Sequence, residues 1–317
     1  MLKAYRAEAG HLIFGAEPAQ AVWIDLTTPS PDQVALVRAM GVDVPSLDDM
    51  EEIEISNRLY REAGLDYITI VVPSIGLGDT PVTGPVCFIL GKDRLISVRY
   101  QRFRPFETYP TRADKTGPGC SAPDLIFLGL IEEITGRIAD ILEGAGKALD
   151  GLMREVFAPG PGVDGPKVLQ SNLEKTGLQS EIVAKVQLSL LTIERALAFY
   201  QHSIAERPNH ETQRAAIAGL LADLRSLSVH GDYLSNRVSQ ATEATLGMIN
   251  LAQNAAVRSL SVVAVLFLPP TLIASIYGMN FRVMPELDQS WGYPMAIGLM
   301  VLSAAIAWAV SKWKGWL

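Results

Sequence analysis

Two apolar segments near the carboxyl end carry no charged residue and constrain the fold more than any other feature of the chain. The first covers residues 260–276, with apolar residues 255–257 before it, and the second covers residues 295–310. Each is long enough to cross a bilayer core about 30 Å thick. Trp308 and Trp313 suit the aromatic belt at a membrane interface. Because the connection between the segments is too short for a domain, we expect a membrane hairpin with both chain ends on one side.

Basic residues predict the orientation of this hairpin. Lys312 and Lys314 flank the second segment and Arg258 precedes the first, whereas the connecting loop sets one arginine against two acidic residues. The positive-inside rule therefore places both termini in the cytoplasm. The chain starts MLKAYRAEAG, without the apolar region of a signal peptide, which agrees with that orientation. We predict a multi-pass protein of the inner or plasma membrane.

Composition excludes several classes of protein. Charged residues make up 19% of the 317 residues, the net charge is −7 and the mean hydropathy is +0.20. An acidic chain with this apolar content is neither disordered nor a coat for nucleic acid, so we expect no nucleic-acid partner. Two cysteines are too few for a disulfide scaffold or a cysteine-rich zinc module.

The part of the chain before the apolar segments divides into two regions. β-rich apolar runs predict strands at residues 21–26, 66–74, 86–91 and 94–100. Asp32 is expected to cap the helix that follows the first of them. We therefore predict an α+β cytoplasmic domain over residues 1–120. Apolar residues with helical spacing then predict a helical hairpin region over residues 121–208.

The most regular pattern follows Pro208, since no further proline occurs before Pro269. Apolar or small residues recur there in alternating steps of four and three: Leu220, Leu224, Leu227, Gly231, Leu234, Val238, Ala241, Thr245, Met248, Ala252 and Ala255. One helix over residues 209–276 would be about 100 Å long. We predict an oligomeric stalk helix that continues into the first transmembrane helix, the alternative being one long helix of a monomeric bundle.

The remaining boundaries follow from the hairpin. We predict an external loop over residues 277–293, a second transmembrane helix over residues 294–311 and a basic cytoplasmic tail over residues 312–317. The predicted architecture is thus an α+β domain, a long stalk helix and two carboxyl-terminal transmembrane helices.

The first transmembrane helix is expected to line a pore. Pro269 and Pro270 remove two backbone donors, which lipid tolerates only where protein or water covers the freed carbonyls. A second stripe mixes apolar and small polar residues at three- and four-residue steps: Asn254, Val257, Ser261, Ala264, Leu268, Thr271 and Ser275. A ring of Leu268 side chains would gate by dewetting. The alternative is that the serines and threonines bond the backbone of their own helix.

The loop between the two apolar segments carries a specific resemblance. Tyr277-Gly278-Met279-Asn280-Phe281 and Met284-Pro285-Glu286-Leu287 closely resemble the signature of CorA-type magnesium and cobalt transporters. The resemblance is strong over residues 250–317, holds as a pattern along the stalk, and reaches the amino-terminal region mainly through residues 52–60. It implies a funnel-shaped homopentamer in a lipid bilayer, with five first-span helices around the pore and the second-span helices outside them.

The resemblance also implies a selectivity loop made of Gly278, Met279 and Asn280, at which five Asn280 side chains meet a hydrated cation. Mg²⁺ dehydrates reluctantly, and a neutral amide carbonyl accepts hydrogen bonds from its waters without stripping them. Glu286 adds a negative field at the external mouth. The implied activity is channel-like uptake of Mg²⁺, and of Co²⁺ and Ni²⁺, driven by the membrane potential.

The resemblance further implies that intracellular Mg²⁺, bound between acidic groups of adjacent cytoplasmic domains, closes the pore. At the stalk position where some members carry an acid, this chain has Gly219; Asp223, one turn on, and Asp232 are the substitutes for a regulatory Mg²⁺ site. The alternative for both is an ordinary solvated stalk charge. Mg²⁺ is thus expected as cargo and regulator, with no organic cofactor.

Three other functions compete with this interpretation. An enzyme is not expected, because Gly84 to Lys92 only superficially resembles a phosphate-binding loop and the four histidines lack metal-ligand spacing. A zinc-transporting branch of the same superfamily shares the Gly-x-Asn loop but departs from Met-Pro-Glu-Leu. A membrane-anchored coiled-coil scaffold or sensor would leave the polar stripe and the Asn280 loop without a purpose.

Overall fold

The computed structural model describes residues 1–52, 54–75, 80–115, 118–157, 165–205, 211–279, 284–285 and 289–315. The chain divides into two compact units. Residues 1–158 and 172–242 form the first, and residues 159–171 and 243–317 form the second. Helix α7, defined below, contributes residues to both units.

The first unit contains a seven-stranded sheet. Its strands are β1 (Leu2–Glu8), β2 (His11–Phe14), β3 (Trp23–Thr27), β4 (Leu59–Glu62), β5 (Leu65–Ile75), β6 (Pro81–Leu90) and β7 (Leu95–Arg99). The spatial order is β2-β1-β3-β7-β6-β5-β4. Strands β3 and β7 are parallel, with Thr27 opposite Arg99, and the other neighbours are antiparallel.

The described residues also form eight α-helices: α1 (Pro31–Arg38), α2 (Leu47–Glu51), α3 (Ile55–Arg58), α4 (Pro105–Thr108), α5 (Pro123–Phe157), α6 (Gly165–Ile204), α7 (Glu211–Tyr277) and α8 (Gly292–Trp313). The predicted fold class, an α+β domain followed by a long helix and an apolar carboxyl-terminal helix, is confirmed. The four predicted strands correspond to β3, β5, β6 and β7, whereas the sequence patterns missed β1, β2 and β4.

The cap of α1 differs from the expectation. Ser30, not Asp32, is the N-cap, because the Gln33 backbone N–H donates to Ser30 Oγ at 3.4 Å. The Ser30 N–H donates in return to Gln33 Oε1 at 3.1 Å. This reciprocal capping box places Pro31 at the first helical position, where its missing N–H has no cost.

Alternate residues along the strands point to opposite faces of the sheet and pack into two separate hydrophobic cores. On one face, β6 residues such as Phe88 pack with the apolar stripes of α5, α6 and α7. On the other face, Cys87 and Val98 pack with Val37 of α1. Burial raises the pKa of the Cys87 thiol to about 12. The thiol therefore stays protonated at neutral pH. Cys87 is a packed core residue and not a thiolate metal ligand.

A charged network lies inside the sheet. The Arg99 guanidinium donates to both carboxylate oxygens of Asp25, at 3.1 and 2.8 Å, and both side chains are almost fully buried. Ser97 Oγ donates to Asp25 at 2.8 Å and accepts from Trp23 Nε1 at 3.0 Å. Arg99 also lies 4.8 Å from the ring centroid of Phe106. Parallel pairing of β3 with β7 brings these residues together across about seventy positions of sequence.

The apolar stripe of α7 that predicted an oligomeric stalk packs against other helices of the same chain. Leu220, Leu224 and Leu234 are buried and belong to the same core as α5 and α6. The stripe is therefore no sign of a second copy over this stretch. Other side chains of α7 are exposed, among them Val229 at 70% and Tyr233 at 53%.

Candidate functional site

Among the described residues, two helices have the length and composition to cross a membrane. They are the apolar part of α7 and the whole of α8. Only 6% of the most apolar stretch of α7 and 17% of that of α8 is buried inside the chain. The core helix of a soluble protein would be mostly buried, so both helices have apolar surface that lipid or further protein must cover. Both helices are therefore candidate membrane spans, at the positions that the sequence predicts.

Helix α7 continues through its two prolines. Pro269 and Pro270 lie within the helix and are half-buried. Because proline has no N–H, the carbonyls of Val265 and Leu266 lose their intrahelical donors. The Thr271 hydroxyl, one residue on, donates to the Phe267 carbonyl at 2.6 Å. The helix thus presents freed carbonyl oxygens at this level, as a segment that borders water or protein would.

The predicted pore-lining stripe lies on one face of α7. All seven of its side chains are exposed in the single chain, and Val257 and Leu268 are exposed by 63% and 67%. The Ser261 hydroxyl donates to the Val257 carbonyl at 2.8 Å, as Thr271 does to its own helix. Each hydroxyl oxygen keeps lone pairs that can accept from water. Backbone bonding and a pore-lining role are therefore compatible, and the lining remains a prediction.

The end of α7 forms the start of the predicted selectivity loop. The Gly278 N–H donates to the Ala274 carbonyl at 2.9 Å and the Met279 N–H to the Ile276 carbonyl at 3.3 Å. Gly278 has no left-handed backbone; a Cβ there would lie 3.1 Å from the Ala274 oxygen, a tight approach that glycine avoids. Asn280 and Glu286 lie outside the described residues.

The two acidic residues proposed for regulation lie in different surroundings. Asp223 is exposed and borders, with Glu132 of α5, a groove of about 310 Å³. Asp232 accepts from Gln187 Nε2 at 2.8 Å. Within the described residues of one chain, no three histidine, cysteine or acidic side chains come together as a metal site. A regulatory cation at Asp223 or Asp232 would therefore need ligands from elsewhere.

Sequence reasoning missed a group of basic side chains in the first unit. Arg102 and Arg104 are exposed and border cavities close to the buried Arg99. The available signal was local: three arginines fall within six residues of a chain whose net charge is −7. Each had the ordinary explanation of a solvated charge, so the sequence alone gave no reason to connect them.

The chain is similar to known proteins of one family. The family model described as "CorA-like Mg2+ transporter protein" matches residues 18–312. Proteins named magnesium transport protein CorA are 32% identical over the full length of both chains, from Pasteurella multocida (strain Pm70) over 324 residues and from Escherichia coli (strain K12) over 323. The solved CorA magnesium transporter of Methanocaldococcus jannaschii shares the fold with a TM-score of 0.78 at 18% identity, covering 100% of this chain and 99% of that one.

Proposed function

The chain belongs to the family of CorA-like Mg²⁺ transporter proteins, and we propose that it conducts hydrated Mg²⁺ into the cell through a pore lined by α7. One observation carries this proposal. Helix α7 runs for 67 residues from the first unit into an apolar, exposed stretch that ends at Gly278 and Met279. An ion path along such a helix needs no enzymatic step, and the family is one of transporters rather than enzymes.

The driving force is electrical. A divalent ion gains about 4.6 kcal/mol per 100 mV, twice the value for a single charge, when it moves toward the negative side of a membrane. The proposed orientation, with both termini in the cytoplasm, makes this movement uptake. Co²⁺ and Ni²⁺ follow the same path, since the ring of Asn280 side chains contacts the waters of the hydrated ion rather than the metal.

The pore requires several copies of the chain, and we infer five. The exposed apolar face of α7, including Val229 and Leu251, supports contact with further copies, because such surface is costly in water. We expect a detergent-solubilised particle with the protein mass of five chains. A monomer or dimer mass by light scattering would contradict the pentamer.

Intracellular Mg²⁺ is proposed to close the pore at Asp223. Glu132 also borders the groove beside it, and Mg²⁺ prefers oxygen ligands while keeping several waters. An acidic group of a neighbouring copy would complete the site. We expect Mg²⁺ to protect the wild type from trypsin, with much weaker protection in Asp223→Ala. Equal protection in both proteins would remove Asp223 from the site and leave Asp232 to be tested in the same way.

The transport proposal is tested in liposomes that contain the purified full-length chain. With a potential that is negative inside, we expect Mg²⁺ uptake that falls as the potential is removed. Addition of Co²⁺ or Ni²⁺ is expected to compete with Mg²⁺, and Zn²⁺ less so. Absence of Mg²⁺ flux would contradict the proposal, and dominant Zn²⁺ uptake would assign the chain to zinc transport instead.

A further inference from the structure

A cavity lies at the carboxyl ends of the parallel strands β3 and β7. It has a volume of about 460 Å³ and is bordered by Thr27 and Thr28 at the end of β3 and by Arg99 and Tyr100 at the end of β7. Strands β3 and β7 are the parallel pair of a sheet whose other neighbours are antiparallel, so their carboxyl ends lie at the same edge. The cavity therefore brings together residues from the ends of both strands.

The backbone at this cavity is strained. Thr28 has a φ of +43°, a left-handed conformation that β-branched residues rarely adopt. Two hydrogen bonds hold it: its N–H donates to the Arg99 carbonyl at 2.7 Å, and its Oγ1 donates to the Tyr100 carbonyl at 3.1 Å. Strain of this kind is concentrated at ligand sites, where a fixed geometry serves binding.

The cavity is lined by cations. Lys3 and Arg102 border it, and within the described part of the chain neither has a carboxylate partner. Arg99 also borders it, but its guanidinium is engaged by Asp25 and by the Gln101 carbonyl. Glu107 is the acidic residue at the rim. A chain with a net charge of −7 thus has more basic than acidic side chains at this surface.

A second cavity adjoins the first and is bordered by further basic residues. It has a volume of about 360 Å³, shares Arg102 and Glu107 with the first, and adds Arg104 and Arg137. Arg137 forms a surface ion pair with Asp140 at 3.5 Å, whereas Arg104 has no carboxylate partner among the described residues. Several cations along two adjoining cavities suit an anion that carries several charges, and guanidinium groups match phosphate oxygens in pairs.

We propose that these two cavities form a binding site for a polyphosphate anion, with Lys3, Arg102 and Arg104 as the main contacts. The shared chemistry is a chain of phosphate groups, either inorganic triphosphate or the triphosphate of a nucleotide. The site lies wholly within the first unit. Its occupancy does not depend on transport, so the two proposals succeed or fail separately.

The test is titration calorimetry of the full-length chain in detergent, in buffer without Mg²⁺, with sodium triphosphate, ATP and orthophosphate. We expect triphosphate to bind at least about tenfold more tightly than orthophosphate, since each further charged contact is worth that factor or more. Equal affinity for ATP and triphosphate would show that the phosphate chain carries the binding, and tighter ATP binding would add a contact to the nucleoside. Both results support the site.

The variants Lys3→Gln and Arg102→Gln are expected to weaken triphosphate binding by at least about tenfold each. Lys92→Gln is the matched control, because Lys92 is exposed in the turn before β7, at the opposite end of that strand. It should change the affinity by less than about twofold, as a distant surface charge is largely screened. Absence of triphosphate binding at millimolar concentration would overturn the proposal, and so would equal weakening by Lys92→Gln.

Discussion

Asp25→Asn is expected to lower the free energy of unfolding of the first unit by about 3–5 kcal/mol, the cost of leaving one member of a buried ion pair without its partner. The Asp25 carboxylate accepts from the Arg99 guanidinium and from Ser97, and Asp25 and Arg99 are 1% and 2% exposed. Asparagine keeps the shape of the side chain but leaves the Arg99 charge uncompensated in the sheet. Urea unfolding followed by far-ultraviolet circular dichroism measures the change.

The chain offers a matched control at the same separation. Arg38 and Asp43 also approach to 2.8 Å, but their side chains are 65% and 68% exposed. An exposed pair of this kind contributes under about 1 kcal/mol, because water screens the charges and both side chains lose freedom. Asp43→Asn is therefore expected to leave the unfolding midpoint nearly unchanged. A similar loss of stability in the two variants would show that burial of Asp25 does not set its contribution.

The elements predicted correctly from the sequence are those that a local residue pattern identifies. Strands β5, β6 and β7 are long or strongly apolar, and α7 has a regular stripe without proline, so each is visible in a short window. Strand β1 was missed because its inward residues are the small Ala4 and the amphipathic Tyr5, between polar neighbours. Its pairing with β3 depends on backbone hydrogen bonds between segments that are separated in the sequence, which a local pattern does not show.

The same distinction applies to function. The Gly278-Met279-Asn280 loop is a contiguous motif, so the family was visible in the sequence. The partner of Asp25 is Arg99, and the cavity beside them joins residues from β1, β3 and β7. These contacts follow from the order of the strands, which the sequence patterns left open. The α7 stripe shows a related limit: its period identifies the apolar face but not whether this chain or another covers it.

Asn280→Ala is expected to lower Mg²⁺ uptake by at least about tenfold in the liposome assay, because each copy loses one amide acceptor for the waters of the ion and a hydrogen bond is worth about 1 kcal/mol. The loss should appear mainly as weaker apparent affinity for Mg²⁺. Gln289→Ala is the matched control, since it removes an exposed amide from the same connection at a position outside the proposed ring. Uptake by that variant should remain close to that of the wild type.

Asn280→Asp separates a selective ring from a merely structural position. A carboxylate attracts Mg²⁺ more strongly than a neutral carbonyl and competes with the waters of the ion. Conduction needs sites that are favourable enough to enter and weak enough to leave. We therefore expect tighter apparent binding of Mg²⁺ together with a lower maximal rate in Asn280→Asp, the opposite effect on affinity from Asn280→Ala. If both substitutions lowered the rate without changing the affinity, position 280 would support the loop and the ion would be selected elsewhere along α7.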